Sequence, residues 1–265
     1  MAPPPARPGT DPPGRADARF GARAVLAAIS LTLLAVPFAL LLFLVQDGWP
    51  PLLRVDEGAR DDLNAFARAH DPFVSAMKVL STIGSAWVYG PVVAVLAAWL
   101  AARRRPRLAA FVAVTVAGSA VLNSLTKLAV DRARPVLEDP VASAGGLSFP
   151  SGHAQAAIVC WSVFGLLALP GLAGRRRAGA VALAVAMVLA IGFSRIALGV
   201  HFVSDVLAGY VLGAAWVAAM VAAFRVWRQE RRDEEEAGGP GLSPGCPGGW
   251  RPPRSGSAGR PARSR

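Results

Sequence analysis

The chain has 265 residues, of which 54% are hydrophobic and only 17% charged, and its mean hydropathy is +0.43. Charge well under the roughly 25% of soluble domains, with apolar residues in long runs, excludes an ordinary soluble domain and points to a membrane. The net charge of +11 does not indicate nucleic acid. Lys and Arg fall in short clusters between apolar runs and in the tails, with no basic face interleaved with aromatics.

Residues 1–22 are rich in Pro, Gly, Ala and Arg and read as a disordered cationic arm. Ala24 to Val45 is the first apolar run, with Pro37 as a candidate kink. Its apolar core is too long for a secretory signal and no small-residue cleavage site follows, so it reads as an uncleaved span. Residues 46–84 mix Asp56, Glu57, Asp61 and Asp62 with Leu63, Phe66, Phe73 and Met77. That pattern predicts a loop with one amphipathic helix lying at the interface, its acids on a solvated face. His70 in this segment reads as a plain surface residue.

Ala86 to Ala102 is the second span and Leu108 to about Lys127 the third, separated by a run of Arg at 103–107. A loop from Leu128 to Gly152 follows, with Pro140, Gly145 and Gly146 as turn residues. Its Asp131, Arg132, Glu138 and Asp139 read as loop charges. His153 to Leu169, Ala178 to about Ser194, and about His201 to Phe224 are the remaining spans, and Arg175–Arg177 lie in the turn between the first two. Cys160, inside an apolar run, reads as a packed thiol, and its distance from Cys246 in a Pro/Gly tail argues against a disulfide. Residues 229–265 read as a disordered tail, which leaves 23–228 as the folded domain.

Six spans place both ends on one side. The basic clusters sit at the arm, at 103–107, at 175–177 and at 225–232, which are alternate connections. Positive charge marks the cytoplasmic side of short loops. The expectation is therefore an all-α bundle of six transmembrane helices in the plasma membrane, with both termini cytoplasmic. The other connections then face outward.

Those outward connections carry the chemistry. One reads Lys127-Leu-Ala-Val-Asp-Arg-Ala-Arg134-Pro135, the next ends in Pro150-Ser151-Gly152-His153, and the last runs from Ser194-Arg195 to His201 and Asp205. Ionisable groups at the edges of hydrocarbon are costly, so such a set is a functional site by default. Arg presents a planar fork that fits phosphate oxygens, and Lys adds a point charge. A helix starting near His153 would aim the N–H groups after Ser151 and Gly152 at an anion. His201 and Asp205, four apart, would share a helical face, so that Asp205 holds one imidazole nitrogen and leaves the other free to attack. His153, on another segment, is the natural general acid. No cluster of carboxylates of metal-ligand type accompanies them, so no metal is expected.

In this order and spacing, K-x6-R-P, P-S-G-H and S-R-x5-H-x3-D resemble the three signature motifs of the type 2 phosphatidic acid phosphatase superfamily. That superfamily also holds vanadium haloperoxidases and bacterial class A acid phosphatases. The resemblance implies an integral-membrane phosphatase of lipid phosphates or pyrophosphates, needing no cofactor and no nucleic acid, with its active site at the extracytoplasmic face. It implies that His201 forms a phosphohistidine, that Asp205 orients it, and that His153 protonates the leaving oxygen. Lys127, Arg134, Ser151, Gly152 and Arg195 would hold the phosphoryl oxygens. Undecaprenyl pyrophosphate, phosphatidic acid and phosphatidylglycerol phosphate all fit the chemistry. A vanadate-dependent haloperoxidase and a non-enzymatic lipid transporter are the alternatives. Six spans count against the first, whose relatives are largely soluble, and an intact His153, His201 and Asp205 against the second. Oligomeric state has no signal in the chain.

Overall fold

A computed structural model describes the backbone of residues 32–237 and the side chains of residues 32–225. The cationic arm, the start of the first expected span and the tail beyond 237, with Cys246, lie outside the described residues. The regular structure among the described residues is all helix, without a strand. In chain order the helices are α1 (Thr32–Gln46), α2 (Pro50–Arg68), α3 (Asp71–Ile83), α4 (Ala86–Ala102), α5 (Pro106–Val130), α6 (Gly152–Ala168), α7 (Gly174–Ala197) and α8 (Val203–Ala237). A short 3₁₀ turn, Leu169–Gly171, follows α6.

Five segments are long and apolar enough to cross a membrane, and a sixth is counted if α1 and α2, bent by 85°, form one span. Helix α4 has only 17 residues, about 26 Å at 1.5 Å per residue. It reaches a crossing length only together with α3, as Asp71–Ala102.

The region 46–84 departs from the expected single interfacial helix. It forms two helices, because the chain breaks at Ala69-His70 and Pro72 starts a new one. Pro is accommodated in a first helical turn, where its missing N–H costs nothing. The bend before α2 falls at Asp47–Trp49, where Gly48 takes φ +65°. At the other end of the chain, α8 continues to Ala237, so residues 229–237, expected as tail, are helical.

The outward faces of the helices are apolar. Trp87, Val95, Leu183 and Leu189 are exposed, as lipid-facing side chains would be. Between helices the driving force in lipid is packing and hydrogen bonding rather than water release, so small residues and polar links matter. Helix α8 illustrates both. A Cβ on Gly209 would lie 2.6 Å from Ser151 O and 3.1 Å from the Ala154 Cβ, so only glycine lets α8 approach the start of α6 this closely. Tyr210 donates its hydroxyl to Val188 O (2.7 Å), and Trp216 donates Nε1–H to Thr115 O (2.7 Å). Between α5 and α6, Asn123 donates to Gln155 Oε1 (2.7 Å), and Gln155 donates to Ser119 Oγ (2.9 Å). Cys160 packs in the buried core with Tyr89, Phe111 and Val163.

Candidate active site

The short α6–α7 and α7–α8 connections make those helices antiparallel, and the loop at 131–151 folds back on itself, with the Ser148 N–H donating to Arg132 O (2.8 Å). The end of α5, the start of α6, the end of α7 and the start of α8 therefore meet at one end of the bundle. These ends carry Lys127, Gly152 with His153, Arg195 and Asp205. The Arg clusters at 103–105 and 175–177 belong to the opposite end. Local sequence sets each boundary. Asp131 closes α5 in the left-handed region (φ 51°), a conformation Asp tolerates better than most residues. Ser151, extended, precedes α6 at Gly152.

His201 lies just before α8 rather than on it, so the pair with Asp205 is not two residues of one helix. Asp205 is in the first turn, and the preceding segment folds back onto it. His201 Nδ1 is 3.4 Å from Asp205 Oδ2. The other ring nitrogen, Nε2, is 3.1 Å from Arg134 Nη1. A guanidinium can only donate, so Nε2 must be the acceptor and Nδ1 must carry the proton toward Asp205. The separation to Asp205 is long for a hydrogen bond, as resting catalytic contacts often are. Burial lowers the His201 pKa to about 4, against the opposing pull of Asp205 and with Arg134 and Arg195 adding to the lowering. The ring is thus neutral through the physiological range.

Asp205 is fully buried and densely bonded. Its Oδ2 accepts from Ser148 Oγ and from the Phe202 N–H (2.9 Å). Its Oδ1 accepts from Arg132 Nη1 (2.6 Å). Its backbone oxygen accepts from the Ser151 N–H (2.9 Å), which ties the start of α6 to the start of α8.

The cations are held as firmly. Arg134 donates Nε to Gly145 O (3.0 Å) and Gly146 O (2.9 Å), and Nη1 to Val200 O (2.7 Å). Its pKa is lowered by burial, with Asp205 opposing. Lys127 Nζ donates to Leu147 O (2.5 Å). Arg195 Nη1 donates to Ser81 Oγ on α3. His153 is within electrostatic reach of Arg195, His201, Arg134 and Lys127. All eight residues singled out in the sequence therefore converge. Two buried polar atoms among them, Ser151 Oγ and Arg195 Nε, have no protein partner. Unpaired buried donors are costly, and an oxyanion would satisfy both.

Three further residues belong to the site and were read otherwise from sequence. Arg132, expected as a loop charge, is half-buried between carboxylates, bonded to Asp205 and, through Nη2, to Asp56 (2.9 Å). Asp56, placed on a solvated face, is completely buried. Ser148 had no expected role. Of the remaining loop charges, Asp139 pairs with Arg68 (2.8 Å) in an exposed bridge. His70 is exposed, stacked on Phe66, and stands apart from the site.

An apolar cavity of about 610 Å³ opens between α4, α5 and α6. Small side chains line it, among them Ala94, Ala97, Ala117 and Ala120, and it reaches Gly152 and His153.

Comparison with known proteins agrees with this fold. The PAP2 superfamily model matches residues 107–229. Phosphatidylglycerophosphatase B of Bacillus subtilis is 38% identical over 96 residues, which are 35% of this chain and 46% of that protein. The chain thus spans about half the length of that relative. The crystal structure of a transmembrane PAP2-type phosphatidylglycerolphosphate phosphatase from Bacillus subtilis superposes with a TM-score of 0.66 at 20% identity. It covers 76% of this chain and 96% of that one, a likeness of fold. Residues 107–229, a little under half of the chain, thus match the PAP2 superfamily, and the fold around them is that of a transmembrane PAP2-type protein.

Proposed function

We propose that the protein is a membrane phosphatase of lipid phosphates that works through a phosphohistidine, without a metal. One observation carries the reading. A neutral imidazole, held by a buried carboxylate on one side, presents its other nitrogen to a ring of three cationic side chains, and an apolar cavity adjoins the ring.

Arg134 engages Nε2 of His201 in the resting site. An arriving phosphoryl group draws this guanidinium onto its own oxygens, which frees the nitrogen lone pair. Arg195 Nε, Ser151 Oγ, Lys127 and the N–H groups at the start of α6 take the remaining oxygens. Such fixed donors stabilise the charge that develops on the pentacoordinate phosphorus. Nε2 then attacks phosphorus while the bond to the leaving oxygen breaks, and His153 gives that oxygen its proton. Asp205 compensates the positive charge that the imidazole acquires. In the second half, water attacks the phosphohistidine, His153 takes its proton, and phosphate leaves with the ring neutral again.

The cavity supports a lipid substrate. Its small apolar lining would accept an acyl or isoprenoid tail, while the head group stays at the polar end. Phosphatidylglycerol phosphate is the first lipid to test, since both similar proteins are named for it. The Arg clusters at the opposite end of the bundle support an extracytoplasmic site and cytoplasmic termini.

The test is phosphate release by the purified protein in mixed micelles at fixed surface concentration, with chelator present. One head group is presented on several tail lengths, beside a soluble sugar phosphate. The expected result is kcat/KM rising with tail length and unaffected by chelator. Equal or better values for the sugar phosphate would reject the lipid substrate. A reporter inserted at Ala142 should lie outside the cytoplasm, opposite to reporters after Arg105 or Arg177.

A further inference from the structure

Asp56 and Arg132 lie outside the proposed roles above, yet Arg132 contacts the nucleophile's partner and Asp56 contacts Arg132. The Arg132 guanidinium is shared between two carboxylates. Nη1 donates to Asp205 Oδ1 (2.6 Å) and Ser204 Oγ (2.7 Å), and Nη2 donates to Asp56 Oδ2 (2.9 Å). The group also lies 4.3 Å over the Phe202 ring. Asp56 comes from α2, far away in sequence, and is held by the start of α8. It accepts the Ser204 N–H on Oδ1 (2.9 Å) and the Ser204 hydroxyl on Oδ2 (2.5 Å). A carboxylate there meets free N–H groups and the positive end of the helix dipole.

One cation divided between two anions neutralises neither fully. If Asp56 were uncharged, the whole guanidinium charge would fall on Asp205 and weaken its hold on the His201 Nδ1–H. If Arg132 were uncharged, Asp205 would face the imidazole bare. The other ionisable groups around the ring are Lys127 from α5, His153 from α6, Arg195 from α7 and Arg134 from the loop. None of them is an anion. The negative charge that can balance a cationic imidazole therefore comes from Asp205, and its size depends on how Arg132 is shared.

We infer that Asp56 and Arg132 are positioning residues that set the charge Asp205 presents to His201, with α2 supplying this control from outside the three motifs. The inference rests on His201 being the nucleophile. By competing for Arg132, Asp56 keeps Asp205 strong enough to stabilise the phosphorylated imidazole. Arg132 in turn keeps the resting imidazole neutral and able to attack.

The test separates charge from scaffolding. The full chain carries three His, so the labelled His201 resonance can be assigned by its loss in His201→Gln and titrated in lipid nanodiscs. Arg132→Gln should raise the His201 midpoint by about one unit or more, and Asp56→Asn should lower it. In turnover of a long-chain lipid phosphate, Asp56→Asn should lower kcat about 10- to 100-fold with KM unchanged, and Asp56→Glu should recover part of that loss. Midpoints that stay put, or move in the same direction in both variants, would overturn the proposal. So would a loss of activity by Asp56→Asn that falls on KM alone. If Asp56→Asn does not fold, Arg132→Gln decides alone, because an unchanged or lower midpoint rejects the charge sharing. If the wild-type protein releases no phosphate, the phosphatase reading fails while the titration still judges the charge network.

Discussion

The polar cradle and the apolar cavity meet at His153 and are built on opposite plans. In the cradle nearly every charged side chain is fixed by named partners: Arg134 by three carbonyl oxygens and His201, Asp205 by three donors besides His201. Ser194 likewise donates to Ile191 O (2.6 Å). The cavity is walled mainly by Ala, Gly and Val, with few polar side chains, among them Asn123, Gln155 and Ser119, which join α5 to α6. Hydrogen bonds impose direction, whereas contact with methyl groups imposes only volume. The cradle should therefore fail abruptly under substitution, and the cavity by degrees.

The hardest break is at the proposed nucleophile. His201→Ala should lower turnover of every substrate by at least ~10³-fold, as removal of a nucleophile does elsewhere, and steady-state phosphate release measures it. Asp205→Asn should cost ~10²- to ~10⁴-fold in kcat, the upper figure being that of a comparable orienting carboxylate. Substantial activity in His201→Ala would remove the phosphohistidine route.

Filling the cavity should act differently. Ala120→Phe places a ring where the tail is expected. A long-chain lipid phosphate should lose ~10- to ~100-fold in kcat/KM, the scale of a small misplacement at a reacting centre. A short soluble phosphate should be spared. Equal losses for both would show that the cavity shapes the cradle and does not house a tail.

The mildest effect is a pH dependence of stability. The His201 pKa is lowered to about 4, below its ordinary value near 6.5. The neutral ring stabilises the fold fully above pH 6.5, and that contribution fades as pH falls toward 4, by up to about 3 kcal/mol. Thermal unfolding across this window should show a steeper fall for the wild type than for His201→Gln. Parallel curves would mean that His201 titrates normally.

The two plans also differ in how far sequence reveals them. Lys127, Arg134, His153, Arg195, His201 and Asp205 stand out because each is an ionisable group beside an apolar run. Their spacings follow from antiparallel helices that end on one face. Asp56 was hidden by its neighbours Glu57, Asp61 and Asp62, which are exposed or surrounded by exposed residues. A signal was present, however. Leu52, Asp56, Leu63 and Ala67 fall on one helical stripe, so a single acid replaces an apolar residue on the covered side. Its partner Arg132 lies 76 positions away, and no local pattern reports such a distance. The cavity was equally silent, since Ala and Gly at helix interfaces look like any apolar span.

The Ser151 N–H to Asp205 O bond joins two stretches of chain whose covalent connection runs the length of α6, turns at Leu172-Ala173 and returns along α7. That turn is remote from the site. A protein nicked there would leave Lys127, Arg134 and His153 on one fragment and Arg195, His201 and Asp205 on the other. Neither piece could act alone. Co-expressed, the two should recombine in the bilayer through the Gly209 contact and regain phosphate release, a two-component complementation with its nick at the end of the bundle away from the site.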